Sequence, residues 1–83
     1  MQTKTNTIVL STSIWSECIG NTAENQKSFV NELKSALEQN YPDRSFEIKW
    51  GNYCDDRVID RADLYDVKYN DIEIIVMGIT MGM

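Results

Sequence analysis

The sequence predicts an α+β fold: two layers, in which one long amphipathic helix packs on one face of a small mixed sheet. The predicted order is β-α-β-(short α or loop)-β-β. Two observations support it: strand-like segments flank one segment with helical periodicity, and the last segment is rich in β-branched residues. A chain of 83 residues has the size of one domain, so residues 1–83 are predicted to form a single domain, with residues 1–5 frayed.

Two segments are predicted to form the first strands of the sheet. Thr7 to Ile14 is rich in β-branched residues, which favour strands. Apolar and charged residues alternate from Ser45 to Trp50, so that strand has one buried and one solvated face.

The segment between these strands, Thr22 to Asn40, is predicted to be a helix. Asn21 is the predicted N-cap, because Glu24 follows it three residues later. The apolar residues of the helix share one face: Phe29, Leu33 and Leu37. This face must cover the sheet, and a right-handed strand-helix-strand crossover makes the first two strands parallel.

The second half of the chain is predicted to hold a short helix or loop over 55–66, followed by a hairpin. Two polar residues, Asn70 and Asp71, separate the β-rich segments 67–69 and 72–79, as in a tight turn. Side chains of the last strand alternate between the helix side (Ile72, Ile74, Val76) and an uncovered face (Ile75, Met77, Ile79). The uncovered face predicts a homodimer contact or a partner surface there. The alternative is that the chain ends or the acidic segment fold over this face.

The composition argues against catalysis and metal binding. The chain contains no histidine, which is the commonest general base and metal ligand. Its two cysteines, Cys18 and Cys54, form no CxxC pair, and the spacing of the carboxylates does not match a calcium-binding loop. We therefore predict a protein that is not an enzyme and holds no cofactor and no metal. A thiol-redox protein using Cys18 and Cys54 is an alternative.

Negative charge is concentrated in one part of the sequence. The net charge is −5, and the segment from Asp55 to Glu73 carries seven acidic residues against three basic ones. If residues 55–66 were helical, Asp56, Asp60 and Asp63 would line one face and resemble the phosphates of a nucleic acid. Such a surface predicts a basic protein partner, without direct binding of nucleic acid. The alternative is a solvated face with local Asp-Arg pairs, each of which contributes little stability.

The ends of the first two strands are expected to meet at one edge, because those strands are parallel. Two tryptophans and several carboxylates follow these strand ends, a combination typical of interface hot spots inside an acidic rim. The alternative for the tryptophans is that they close the core. The predicted partner-binding residues are Asp55, Asp56, Asp60, Asp63, Asp66, Glu17, Trp15 and Trp50.

These features predict a small acidic protein-interaction module, an inhibitor of a larger basic partner that handles nucleic acid. Small acidic inhibitors of nucleic-acid-guided defence nucleases, carried by phages and mobile elements, have the same profile. A structural homodimer or a subunit of a complex is the alternative. The sequence contains no apolar run of membrane-spanning length and no signal-like N-terminus, which predicts a cytoplasmic protein without a membrane partner.

Overall fold

The computed structural model describes residues 4–81, which form three strands, two α-helices and a short π-helix. The elements are β1 (Lys4–Leu10), the π-helix (Trp15–Ile19), α1 (Ala23–Asn40), β2 (Arg44–Trp50), β3 (Ile59–Asp63) and α2 (Tyr69–Met81). Residues 4 and 5 belong to β1 and are not frayed, and the rest of the predicted frayed segment lies outside the described residues. Within residues 4–81, no helix combines the length and apolar character that a membrane span requires.

The sheet is mixed, with β1 in the centre and the order β2-β1-β3. β1 pairs in parallel with β2 and antiparallel with β3. The predicted α+β class, the mixed sheet and the parallel arrangement of the first two strands are therefore confirmed. The first strand ends at Leu10 rather than at the predicted Ile14, because Ser11 and Ser13 leave the ladder and bond to the loop after β2.

One core lies between the sheet and the two helices. Alternate residues of β1 point into it, and Ile8 and Leu10 are fully buried. The long helix α1 contributes the predicted apolar face, and α2 adds two residues to the same cluster. The helical residues of the core are Phe29, Leu33, Leu37, Ile72 and Val76.

Helix α1 matches its predicted range, but a different residue caps it. The Thr22 hydroxyl accepts a hydrogen bond from the Asn25 backbone N–H at 3.1 Å, so Thr22 and not Asn21 is the N-cap. The Asn21 side chain instead accepts from Gln26 Nε2 at 2.9 Å. The neighbouring polar residue therefore holds the first turn from outside the helix.

The predicted C-terminal hairpin is wrong, because residues 69–81 form helix α2. A strand would place every second residue on the core, but the residues that pack there are Ile72, Ile75, Val76 and Ile79, which follow helical spacing. Burial of this face outweighs the preference of Ile and Val for strands. Ile74, predicted to face the core, is exposed.

The predicted dimer face is wrong for the same reason. Ile75 and Ile79 pack against the core, whereas Met77 is exposed, so the three residues do not share one exposed surface. The structure therefore offers no single exposed face on which Ile75, Met77 and Ile79 could together form a homodimer contact.

The optional short helix within 55–66 is also absent, because residues 59–63 form the edge strand β3. This strand is polar, and its residues have a low intrinsic preference for the strand conformation. Pairing with the free edge of β1 decides its conformation, with an irregularity in register at Val9/Leu10 that leaves Asp60 without a directly opposed residue.

The outer face of the sheet carries no helix among the described residues and is polar. Side chains of all three strands lie on it, since directly paired residues point to the same side. They line a shallow cavity of about 230 Å³. Charges of both signs alternate there, with Lys49 paired to Glu47 at 3.4 Å and Arg61 opposite Val9.

Candidate functional site: an acidic cleft

The end of β1 is fastened to the loop that follows β2. Ser11 Oγ accepts a hydrogen bond from the Cys54 backbone N–H at 2.8 Å and lies 2.8 Å from Ser13 Oγ. The Ser11 backbone N–H donates to the Val58 carbonyl at 2.9 Å. Both serines are buried, so these bonds are shielded from water and hold residues 54–58 in a defined position.

The anchored loop forms one wall of an open cleft of about 430 Å³. The π-helix and α2 form the other walls. We call this feature the acidic cleft, because four carboxylates line it and Arg57 is the one basic residue among its lining residues. The cleft is lined by Ser13, Ile14, Glu17, Cys18, Asp55, Asp56, Arg57, Val58, Glu73 and Met77.

The π-helix brings Glu17 and Cys18 to this cleft. It is closed by a hydrogen bond from the Gly20 backbone N–H to the Trp15 carbonyl at 2.8 Å, and Gly20 has a φ of 88°, a value that glycine adopts without strain. π-helical turns are rare and frequently occur at functional sites.

The carboxylates of the acidic cleft make no ion pair in the described part of the chain. Among the side chains that the structure describes, Arg44 pairs with Asp43 and Lys49 with Glu47, both outside the cleft. The Cys54 side chain, with the negative charges of Asp56 and Asp60, raises the pKa of the Arg57 guanidinium. The cleft therefore keeps an excess of negative charge.

The structure brings together three of the predicted partner-binding carboxylates, Glu17, Asp55 and Asp56. The fourth carboxylate of the cleft is Glu73, which was not among the predicted site residues. The residue was visible as part of the acidic segment, but only a helical α2 places it against the π-helix. Met77 reaches the cleft in the same way, four residues further along α2.

The tryptophans meet at the same end of the sheet but do not line the cleft. The rings of Trp15 and Trp50 lie 5.4 Å apart at 62°, and Trp50 also stacks at 5.9 Å on Phe29 of the core. Both are half-buried, and Trp15 Nε1 is buried without a hydrogen-bond partner. Their packing closes the core at this end, and their predicted role as partner anchors stays a prediction.

The predicted row of aspartates does not exist, because β3 is extended and its neighbours are loops. Asp60 bonds to Asn52 beside Gly51, whereas Asp63 lies on β3 opposite Thr7. Asp66 adopts a left-handed conformation with φ 59° near Arg44, at the start of β2. Strand β2 is roughly 20 Å long at about 3.3 Å per residue, so Asp66 lies far from the cleft at its other end.

Arg44 explains the position of Asp66. Its guanidinium donates to Asp43 and to the Tyr65 carbonyl, and it lies 5.8 Å from the centre of the Tyr41 ring. The hydrogen bond to Asp43, together with the negative charges of Asp43 and Asp66, raises the pKa of this guanidinium. These aspartates are engaged within the protein itself.

Asp60 stabilises the loop after β2. Its carboxylate accepts a hydrogen bond from the Asn52 backbone N–H at 3.0 Å and lies 3.7 Å from the Cys54 thiol. The bond from Asn52, with the thiol and the nearby arginines, lowers the pKa of Asp60 below its ordinary value of 3.8.

We therefore expect Asp60 to contribute to acid unfolding. A lowered folded-state pKa adds stability above pH about 3.8, and this stability is lost as the pH falls through the folded-state value. Urea unfolding measured across this range should show a smaller loss of stability for Asp60→Asn than for the wild type. Asp63→Asn, which removes a charge from the same strand but not this hydrogen bond, is the control. If the stability of the wild type and of Asp60→Asn falls by the same amount as the pH is lowered, the expectation is contradicted.

The two thiols are free and differ in their surroundings. Cys18 is exposed at the acidic cleft, and Cys54 is half-buried. No group of three or more Cys, Asp or Glu side chains with the geometry of a metal site occurs in the described residues. The arrangement is that of a negatively charged recess with apolar side chains in its lining, suited to bind a cationic side chain.

No protein-family model matches this chain, and neither a curated protein nor a solved structure shows a significant similarity to it.

Proposed function

We propose that this protein is an interaction module that binds a basic surface of a larger partner protein through the acidic cleft. The observation that carries the proposal is the cleft itself: four carboxylates and one arginine around a recess of about 430 Å³, with Ile14, Val58 and Met77 in its walls. A lysine or arginine side chain has the matching chemistry, since its charged head pairs with carboxylates and its alkyl stem packs on apolar groups.

The class of partner follows from charge. A protein that handles nucleic acid exposes lysine and arginine side chains to contact phosphates. A carboxylate-lined surface that occupies such side chains competes with nucleic acid for them, so inhibition of the partner is the expected consequence. Counteraction of a nucleic-acid-guided defence nuclease by a phage or mobile element is the setting we propose for it.

The proposal is tested with an unstructured, arginine-rich peptide that lacks apolar residues. We expect its affinity, measured by fluorescence anisotropy, to fall as salt rises, because the contact is electrostatic and solvent-exposed. Asp55→Asn/Asp56→Asn should weaken binding about 5- to 30-fold, corresponding to roughly 0.5–1 kcal/mol for each of the two exposed charges.

The control is Glu32→Gln/Glu47→Gln, which removes the same number of charges from exposed positions outside the cleft. It should retain most of the wild-type affinity. Equal weakening by the two double variants would show that only net charge matters, and the cleft would lose its assigned role.

A further inference from the structure

Helix α2 exposes a stripe of apolar residues on the side opposite its buried face. Ile74, Met77 and Met81 are 67%, 44% and 83% exposed. Gly78 belongs to the same stripe, because these positions recur at helical intervals of three and four residues. We call Ile74, Met77, Gly78 and Met81 the α2 stripe.

The stripe is unusual for the surface of an isolated domain. No charged residue occurs between Ile74 and Met81, and a Cβ atom added at Gly78 would meet nothing within 4 Å. Exposed apolar patches of this kind mark contact surfaces, and methionine side chains adapt to different partners. Gly78 in addition leaves room for the close approach of another element.

The α2 stripe is continuous with the acidic cleft. Met77 belongs to both, and Glu73 lies on the same helix, one turn before Met77, with its carboxylate at the cleft. Carboxylates of the π-helix and of the loop after β2, Glu17, Asp55 and Asp56, complete that border. One edge of the apolar stripe is therefore negatively charged.

We propose that the part of the partner seated here is an amphipathic α-helix with lysine or arginine along one border of its apolar face; this proposal rests on the proposed function. The stripe spans eight residues from Ile74 to Met81, about 10 Å at 1.5 Å rise per residue, which matches two turns of a partner helix. Apolar residues of that helix at positions i, i+3 or i+4 and i+7 cover the stripe, and its basic residues reach the cleft.

A second copy of this chain fits the surface less well. Each copy has a net charge of −5, and Lys68, just before α2, is the basic residue nearest to the stripe in sequence. Self-association through α2 would bring two acidic clefts together, each with four carboxylates and Arg57 as its one basic lining residue. Charge complementarity therefore favours a basic helix over a second copy.

The test compares two synthetic peptides of identical leucine, lysine and alanine composition, binding to the full-length protein by isothermal titration calorimetry. In the first, the leucines form one helical face bordered by lysines. In the second, the order is scrambled so that no apolar face exists. We expect the patterned peptide to bind about tenfold more tightly, a difference of about 1.4 kcal/mol.

Ile74→Ser/Met77→Ser should reduce the affinity for the patterned peptide to that for the scrambled one. The control is Tyr65→Ser, which replaces an exposed aromatic residue outside the cleft and stripe and should leave both affinities unchanged.

The inference is overturned if both peptides bind equally, or if Ile74→Ser/Met77→Ser leaves the affinity for the patterned peptide unchanged. If Asp55→Asn/Asp56→Asn still weakens both peptides in that case, the proposed function survives without the helix. A dimer in sedimentation experiments that Ile74→Ser/Met77→Ser dissociates would assign the stripe to a second copy and overturn the inference.

Discussion

Replacing Asn6 with leucine should raise the free energy of unfolding by about 1–3 kcal/mol. Asn6 lies on the central strand β1, pairs in register with Phe46 and is completely buried on the core side. Neither its side-chain nitrogen nor its oxygen has a hydrogen-bond partner. An amide buried in this way has lost its contacts with water and gained nothing in exchange. Leucine has a similar shape and no polar atoms, so it removes that cost.

Urea unfolding of the wild type and Asn6→Leu measures this difference. Asn6→Asp is the matched variant, and its expected effect on the free energy of unfolding is the opposite. It places an unpaired carboxylate at the same buried position and should destabilise the protein strongly. Since Asn6 lies outside the acidic cleft, Asn6→Leu should bind the arginine-rich peptide like the wild type. A lower unfolding midpoint for Asn6→Leu would mean that the amide makes a stabilising contact in solution.

Gly51→Ala should lower the free energy of unfolding by about 1–3 kcal/mol, the usual cost of overpacking. A Cβ atom at Gly51 would lie 2.4 Å from Val9 Cγ1 and 2.5 Å from Asp60 Oδ2. The branched Val9 side chain is almost completely buried and cannot move aside easily. Displacement of the Asp60 carboxylate would break its hydrogen bond with the Asn52 backbone N–H.

Gly78→Ala is the matched substitution at a site without steric conflict. Nothing lies within 4 Å of the added atom, and alanine favours a helix over glycine by about 0.8–1.0 kcal/mol, so this variant should be more stable than the wild type. Thermal unfolding of both variants is the measurement. Equal effects of the two substitutions would contradict the close approach of β1, β3 and the loop at Gly51.

Local patterns in the sequence were sufficient to predict the first half of the fold. The face formed by Phe29, Leu33 and Leu37 has the period of a helix, and the alternation around Phe46 has the period of a strand. Both patterns arise because one side of each element is buried, and burial of that side is what stabilises the element.

The second half of the fold was predicted wrongly, for a different reason in each of its two elements. The segment Ile59–Asp63 is polar, and its sequence does not predict a strand. It forms one because it completes the hydrogen bonds of the free edge of β1. Residues 69–81 are rich in isoleucine, which favoured a strand, although Ile72, Ile75, Val76 and Ile79 already show helical spacing. That spacing was the signal that could have identified α2.

The residues of the candidate site likewise fall into those that the sequence predicted and those that only the structure placed there. Glu17, Asp55 and Asp56 were placed together correctly, because the ends of parallel strands meet at one edge. Asp60 and Asp63 were aligned with Asp56 on the assumption of a helix, and Asp66 was included as part of the acidic segment. Asp66 instead lies beside Arg44 at the far end of β2. Glu73 and Met77 joined the site only through the helical conformation of α2.

By itself, the sequence determined the class of the fold, the long helix, the parallel strand pair and the excess of negative charge. Each depends on composition, on periodicity within one segment or, for the strand pair, on the order strand-helix-strand. Tertiary contacts alone decided the conformation of β3. They also decided between the strand preference and the helical spacing of α2, and therefore which carboxylates share a cleft and which apolar side chains of α2 stay exposed. The physical reason is that a segment with conflicting or weak local preferences adopts the conformation that satisfies its neighbours: β3 pairs with an open strand edge, and α2 covers an open core.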